Sequence, residues 1–137
     1  MSDPVIPDIQ AEMAKYVAEN IDLNKVRDYF GNTLKPMQDD DLRKWLQEWL
    51  LSNGEEQLYK WFAELSKGKV ETISRITYYS LEIPELGITA TIQHTHDENT
   101  SSDTVEVASV EFDDKIYDDW DSDVEDALLS LFDLLFP

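Results

Sequence analysis

Residues 58–83, LYKWFAELSKGKVETISRITYYSLEI, contain the point at which the hydrophobic pattern of the chain changes its period. Before Gly68, apolar residues recur at the spacing of an amphipathic α-helix. They are Leu58, Trp61, Phe62 and Leu65. After Gly68, residues 70–83 are rich in Val, Ile, Thr and Tyr, which favours one β-strand. Helices followed by strands predict an α+β domain.

The part of the chain before this point, residues 1–68, predicts about four short helices. Asp8 can cap the first helix, a second short helix is expected after Asp22, and Gly31 stands at the C-terminal end of that second helix. Asp39–Asp41 place negative charge at the start of the third helix. The aromatic side chains of the third and fourth helices fall at core spacing, so we expect them to be buried rather than stacked on nucleic-acid bases. They are Trp45, Trp49, Trp61 and Phe62.

The part after residue 68 predicts a three-stranded antiparallel meander and then an amphipathic C-terminal helix. Short connections, which favour antiparallel pairing, join the predicted strands. These strands cover residues 70–83, 88–96 and 104–112. Ser122 and Glu125 match the S-x-x-E pattern of a capping box at the start of the last helix. Its apolar residues follow at helical spacing and are Val124, Leu128, Leu131, Phe132 and Leu135.

Charge is divided unevenly along this predicted single domain, residues 1–137. The chain carries 11 basic and 30 acidic side chains, a formal net charge of −19. The helical part, residues 1–68, has 8 basic and 13 acidic side chains, a net of −5. The acidic sheet-plus-helix part, residues 69–137, has 3 basic and 17 acidic side chains, a net of −14. Because such a charge repels nucleic acid and anionic membranes, we expect direct binding to neither.

The composition excludes several classes of protein. The chain has no cysteine, so disulfides, thiolate metal sites and cysteine nucleophiles are absent. The first ten residues, MSDPVIPDIQ, lack the basic and apolar regions of a secretory signal. No apolar tract approaches the roughly 20 residues of a membrane span. We therefore expect a cytoplasmic protein, and no motif calls for a cofactor.

Residues 112–126, FDDKIYDDWDSDVED, which we call the acidic tract, place eight carboxylates beside one lysine. Helix-dipole chemistry explains the acids near the start of the last helix but not those further upstream. In an extended chain, Asp119, Asp121 and Asp123 would stand about 6–7 Å apart, comparable to successive nucleic-acid phosphates. Aromatic residues between the acids could anchor a partner. The predicted partner-binding residues are Asp113, Asp114, Tyr117, Asp118, Asp119, Trp120, Asp121 and Asp123.

Two stretches of the sequence partly match metal-binding patterns. Residues 119–123 satisfy D-x-D-x-D, but Val124 and Ser130 stand where a calcium loop needs Gly and Glu. His94 and His96 form an H-x-H pair whose rings would share one face of a strand. No third histidine exists, and the pair could simply end a strand beside water or neighbouring acids. We predict no metal, and His94 and His96 are the candidate ligands if one binds.

No nucleophile, metalloprotease, Walker or dinucleotide-binding motif appears, so the sequence predicts no enzyme. The leading hypothesis is a non-enzymatic acidic protein that blocks a basic, nucleic-acid-binding surface of a partner protein. Its composition resembles that of DNA-mimic anti-restriction and anti-CRISPR proteins and of acidic immunity proteins.

Two other hypotheses stay open. One is an acidic cytoplasmic chaperone or secretion adaptor, in which the last helix forms a homodimer or client-binding face unless it is a buried core helix. That face would contain Leu128, Leu131, Leu134, Leu135 and Phe136. The other is a metal-dependent enzyme that uses His94 and His96.

Overall fold

The first two helices of the fold begin at aspartate residues that cap them. The computed structural model describes residues 5–34 and 36–136, and the helices before the sheet in this part are α1 (Ile9–Asn20), α2 (Leu23–Phe30), α3 (Asp39–Ser52) and α4 (Glu55–Leu65). The carboxylate of Asp8 accepts a hydrogen bond from the Ala11 backbone N–H at 3.1 Å, and that of Asp22 accepts one from Asn24 at 2.9 Å. The predicted cap at Asp8 and the predicted start of the second helix after Asp22 are therefore confirmed. A 3₁₀ turn over Gly31–Leu34, which the sequence does not predict, follows α2.

Met1 to Pro4, Lys35 and Pro137 lie outside the described part of the chain. The expectation that the first ten residues carry no secretory signal falls partly on them, as do the two ends of the predicted domain. The longest helix in the described residues has 14 residues. None of these helices combines the length and the apolar character that crossing a membrane requires.

After α4, the described residues form one antiparallel sheet of five strands rather than the predicted three. In chain order, which is also their order in the sheet, the strands are β1 (Lys69–Ser74), β2 (Tyr78–Ile83), β3 (Ile88–Asp97), β4 (Ser102–Phe112) and β5 (Lys115–Tyr117). Each strand pairs with the next one along the chain. The α+β class and the meander order are therefore confirmed, and the number of strands is wrong.

The predicted strand over residues 70–83 is wrong because residues 75–77 form a turn that divides it into β1 and β2. Ser74 pairs with Tyr78 across this turn, and its hydroxyl accepts a hydrogen bond from the Ile76 N–H at 3.4 Å. Strand-forming residues continue through the turn, so composition does not reveal where the chain reverses. The last strand, β5, is missed for another reason, since three residues are too few to show alternation.

The closing helix, α5 (Ser122–Leu135), packs between the sheet and the helical layer. It contacts β1 and β4 of the sheet and α1 and α4 of the helical layer. Its buried side chains are Val124, Ala127, Leu128, Leu131 and Phe132. The interpretation of α5 as a core helix is therefore confirmed. Of the alternative dimer or client-binding face, Leu128 and Leu131 are fully buried, while Leu134 is 44% and Phe136 39% exposed.

The predicted capping box of α5 is wrong. The helix begins at Ser122, so Asp121 is its N-cap residue, and the Asp121 side chain makes no capping hydrogen bond. The carbonyl of Asp121 accepts hydrogen bonds from the backbone N–H groups of Val124 and Glu125. Asp123 and Glu125 lie in the first turn, where the helix dipole favours negative charge.

The aromatic residues of α3 and α4 match their prediction in part. Trp61 and Phe62 are buried, whereas Trp45 and Trp49 are half-buried and stack on each other with ring centroids 6.3 Å apart. Gly54, before α4, packs directly on the Trp49 ring. A Cβ atom at Gly54 would lie 2.2 Å from Cζ3 of Trp49, so this close approach requires glycine.

Candidate docking surface along the acidic tract

Asp113 and Asp114 form the two-residue turn between β4 and β5. Phe112 pairs with Lys115 across it, and the φ angles of the two aspartates are 54° and 62°. Positive φ at both central residues is the pattern of a type I′ hairpin turn, whose backbone twist suits the flanking strands. Asp113 and Asp114, two of the upstream acids that helix-dipole chemistry does not explain, are therefore the central residues of a hairpin turn. Asparagine and glycine would suit these two positions better.

The short edge strand β5 positions Tyr117. Ile116 pairs with Glu111 and is 70% exposed, while Tyr117 pairs with Val110 and is half-buried. The ammonium nitrogen of Lys115 lies 5.2 Å from the centroid of the Tyr117 ring, within the about 6 Å range of cation–π contacts.

The link between β5 and α5 carries the centre of the acidic tract. Asp118 and Asp119 are exposed, whereas the Trp120 side chain is half-buried and packs against the hydrophobic core. Asp121 has extended backbone, but Asp123 lies inside α5. The expected extended row of Asp119, Asp121 and Asp123 is therefore wrong, because the helix begins before its third member.

The carboxylates of the acidic tract lie largely at the surface of the fold. Seven of the eight residues are exposed and Glu125 is half-buried. Within residues 5–34 and 36–136, none of these carboxylates accepts a hydrogen bond or makes an ion pair. The anionic character of this surface is therefore not neutralised by the described part of the chain.

Several acids of the helical part have partners among the described residues. Asp39 pairs with Arg27 at 2.7 Å, and Glu64 pairs with Lys25. Asp8 caps α1 through its side chain. The acidic tract is distinguished by having eight such carboxylates within 15 consecutive residues, none of them paired with a described residue.

A shallow groove of about 290 Å³ runs beside the centre of the tract. Its apolar walls are Val5, Ile6, Tyr117, Trp120 and Val124, and the carboxylate-bearing residues Asp119 and Asp121 also line it. Four predicted partner-binding residues therefore meet at one groove, while Asp113, Asp114, Asp118 and Asp123 lie outside its lining. The sequence offers no signal for the contribution of Val5 and Ile6, because they meet the tract only through the fold.

His94 and His96 lie near the end of β3 and bond to a residue that sequence reasoning missed. Oδ1 of Asp103 on β4 lies 3.2 Å from Nε2 of His94 and 2.7 Å from Nδ1 of His96. The hydrogen bond to His96, with a smaller contribution from His94, lowers the pKa of the Asp103 carboxyl below its ordinary value. Asp103 pairs with His96 across the two strands, so the β3–β4 register brings the three side chains together.

His94 and His96 therefore end a strand beside an acid, which is one of the arrangements expected for them from the sequence. In the described part of the chain, no group of three or more His, Asp or Glu side chains is arranged to hold a metal ion.

Comparison of the chain with protein-family models, with curated proteins and with solved structures finds no match.

Proposed function

We propose that this protein is a non-enzymatic acidic binding protein that blocks the basic, nucleic-acid-binding surface of a partner protein in the cytoplasm. Its action would resemble that of DNA-mimic inhibitors of the anti-restriction, anti-CRISPR or immunity type. The main support is the set of eight carboxylates in the acidic tract, which make no ion pair or hydrogen bond in the described part of the chain.

Physical chemistry favours a basic partner for such a surface. Unneutralised like charges repel one another and lower the stability of the fold, and a complementary basic surface would relieve this repulsion. Charges at the rim of an interface also accelerate association by steering the partner, an effect that salt screens. Binding through the acidic tract should therefore weaken as salt is added.

The elements that carry the tract also support the proposal. A hairpin turn holds Asp113 and Asp114, and the first turn of α5 holds Asp123 and Glu125. These carboxylates are thus presented by regular structure and need little ordering on binding, which lowers the entropic cost of association. The proposal rests on this density and presentation, and not on a strand-like spacing of phosphate mimics.

The test is capture of partners by the immobilised full chain from a lysate of the source organism, with elution by salt. Each captured protein is then assayed for competition between this chain and DNA or RNA. We expect a nucleic-acid-binding protein whose binding to DNA or RNA is displaced by this chain. A partner that binds both at once would contradict the proposal.

Charge-matched variants assign the binding to the tract. Neutralisation at four tract positions, Asp118→Asn, Asp119→Asn, Asp121→Asn and Asp123→Asn, should weaken binding at least about tenfold. The control neutralises four exposed acids elsewhere, Glu19→Gln, Asp28→Asn, Glu48→Gln and Glu98→Gln, so both proteins carry −15 instead of −19. Equal losses in the two variants would mean that net charge, and not the acidic tract, drives binding.

A homodimer through α5, which the chaperone or adaptor hypothesis requires, would have to use the exposed end of the helix. Leu134 and Phe136 are the exposed residues there. This hypothesis predicts binding that tolerates high salt, so the salt elution of the capture experiment separates it from the proposal above.

A further inference from the structure

The groove beside the acidic tract joins aromatic side chains to acidic ones. Trp120 and Tyr117 are half-buried and line the groove together with Ile6. Val5, at the same groove, is 73% exposed, so apolar surface is uncovered there. Apolar and aromatic surface beside charge is a feature of interface centres, where a buried anchor supplies binding energy.

The charge of the groove selects a cation as the anchor. Asp119 and Asp121, both exposed, belong to its lining. Neither carboxylate makes an ion pair with a described residue. An anionic or neutral side chain entering the groove would leave these charges uncompensated, whereas a cationic one would pair with them.

The chain itself already places a cation on an aromatic ring of the tract. Lys115 lies over Tyr117. Among the described residues this is the one contact of its kind, and the indole of Trp120 has no such cation. Tryptophan is the aromatic side chain that attracts cations most strongly.

The size of the groove and the geometry of its groups favour arginine over lysine. Its volume of about 290 Å³ is just below the roughly 300–1,000 Å³ of small-molecule sites, which suits one side chain. A guanidinium group is planar and less strongly hydrated than an ammonium, so it can stack on an indole and also donate hydrogen bonds to carboxylates. An ammonium cannot make both contacts with the same planar fit.

We infer that the groove binds an arginine side chain of a partner protein, stacked on Trp120 and paired with Asp119 and Asp121. This inference rests on the proposed function and specifies the side chain that the docking surface recognises. The surrounding carboxylates steer the basic partner, and the groove gives arginine an advantage over lysine.

The experiment compares two blocked peptides of equal charge, acetyl-RGRGRG-amide and acetyl-KGKGKG-amide, as ligands of the full chain. Their affinities are measured by calorimetry at low salt. We expect the arginine peptide to bind about three- to tenfold more tightly, because only a guanidinium can stack on the indole and pair with the carboxylates at the same time. Trp120→Leu should remove this preference, because it weakens binding of the arginine peptide more than binding of the lysine peptide. Tyr29→Leu, at an exposed aromatic residue outside the groove, should retain the preference.

Circular dichroism shows whether Trp120→Leu is folded. If it is not, the double variant Asp119→Asn and Asp121→Asn replaces it and should weaken arginine-peptide binding more than lysine-peptide binding. Equal affinities of the wild-type chain for the two peptides would overturn the arginine inference. The docking surface would still stand if the fourfold tract variant bound both peptides more weakly than its charge-matched control. If the fourfold tract variant and its charge-matched control bound the peptides equally well, the proposed docking surface would be contradicted as well.

Discussion

Asp113 and Asp114 show at the residue scale how charge and backbone geometry compete. Both adopt positive φ in the β4–β5 turn, and both contribute carboxylates to the acidic tract. Left-handed backbone costs an L-residue roughly 1–2 kcal/mol, although aspartate tolerates it better than most residues. Acids therefore occupy positions where turn geometry alone favours asparagine and glycine. A requirement for negative charge at this turn would explain why both positions are aspartate.

The double variant Asp113→Asn and Asp114→Gly should raise the free energy of unfolding by about 1 kcal/mol, because both replacements suit positive φ. Urea denaturation measures this change. The matched control, Asp113→Ala and Asp114→Ala, removes the same two charges but should lower stability, because alanine disfavours the left-handed conformation. A similar gain in both variants would show that relief of charge repulsion, and not turn geometry, is responsible.

Asp103 provides the second residue-scale prediction. Its folded-state pKa is lowered by the hydrogen bond to His96, so the ionised carboxylate stabilises the fold above the ordinary pKa of the carboxyl. This stabilisation is lost as the pH falls through the lowered folded-state pKa. The difference in unfolding free energy between the wild-type chain and Asp103→Asn should therefore be present at about pH 5–7 and shrink toward about pH 2.5. Urea denaturation across this pH range measures it, and a difference independent of pH would contradict the role of the carboxylate.

At the scale of the element, α5 shows that hydrophobic periodicity does not tell which apolar residues of a helix are buried. Its sequence is apolar over much of its circumference, which fits either a core helix or a dimer face. The fold places Leu128 and Leu131 between the sheet and the helical layer and leaves Leu134 and Phe136 at the exposed end. Which apolar residues are covered depends on how the sheet and the helices approach α5, and this is not encoded in the helix alone.

Leu128→Ala should lower the free energy of unfolding by about 2–5 kcal/mol, because it opens a cavity at a fully buried position. Leu134→Ala, at a position that is 44% exposed, should change it by no more than about 0.5–1 kcal/mol. Guanidinium denaturation with light scattering measures stability and oligomeric state together. If Leu134→Ala were as destabilising as Leu128→Ala and dissociated a dimer, α5 would be an interface in solution.

The N-terminal caps of the first helices are predicted correctly from local signals, whereas the capping box of α5 and the chain reversals of the sheet are not. Asp8 and Asp22 act on N–H groups two or three residues away, so their role as caps is readable from the sequence. The turn at residues 75–77 and the strand β5 depend on pairing with neighbouring strands. The same strand-forming composition can satisfy more than one pairing, and the rest of the sheet selects among them.

For the whole molecule, the uneven charge distribution is the dominant feature. The sheet-plus-helix part carries −14 of the net −19, and its acidic tract has no internal ion pairs among the described residues. Such self-repulsion destabilises a compact fold, and it is screened when the Debye length falls from roughly 30 Å at 0.01 M salt to about 10 Å at 0.1 M.

The melting temperature of the wild-type chain should therefore rise by roughly a few degrees between about 0.01 and 0.5 M NaCl. The fourfold tract variant, with a net charge of −15, should show a smaller rise. Differential scanning calorimetry measures both. A melting temperature that is constant or falls with NaCl would mean that self-repulsion is not a significant term in the stability of this fold.

The sequence by itself determined the α+β class, the starts of the first two helices, the lack of cysteine chemistry and the concentration of negative charge in the second half. These properties depend on composition or on residues a few positions apart, which act on each other whatever the rest of the chain does. Only the tertiary structure decided that Asp103 bonds both histidines, that α5 is a core helix and that Ile6 meets Trp120 at one groove. These contacts join residues that are distant in sequence or on different strands, so they exist only once the sheet register and the packing of the helices bring them together.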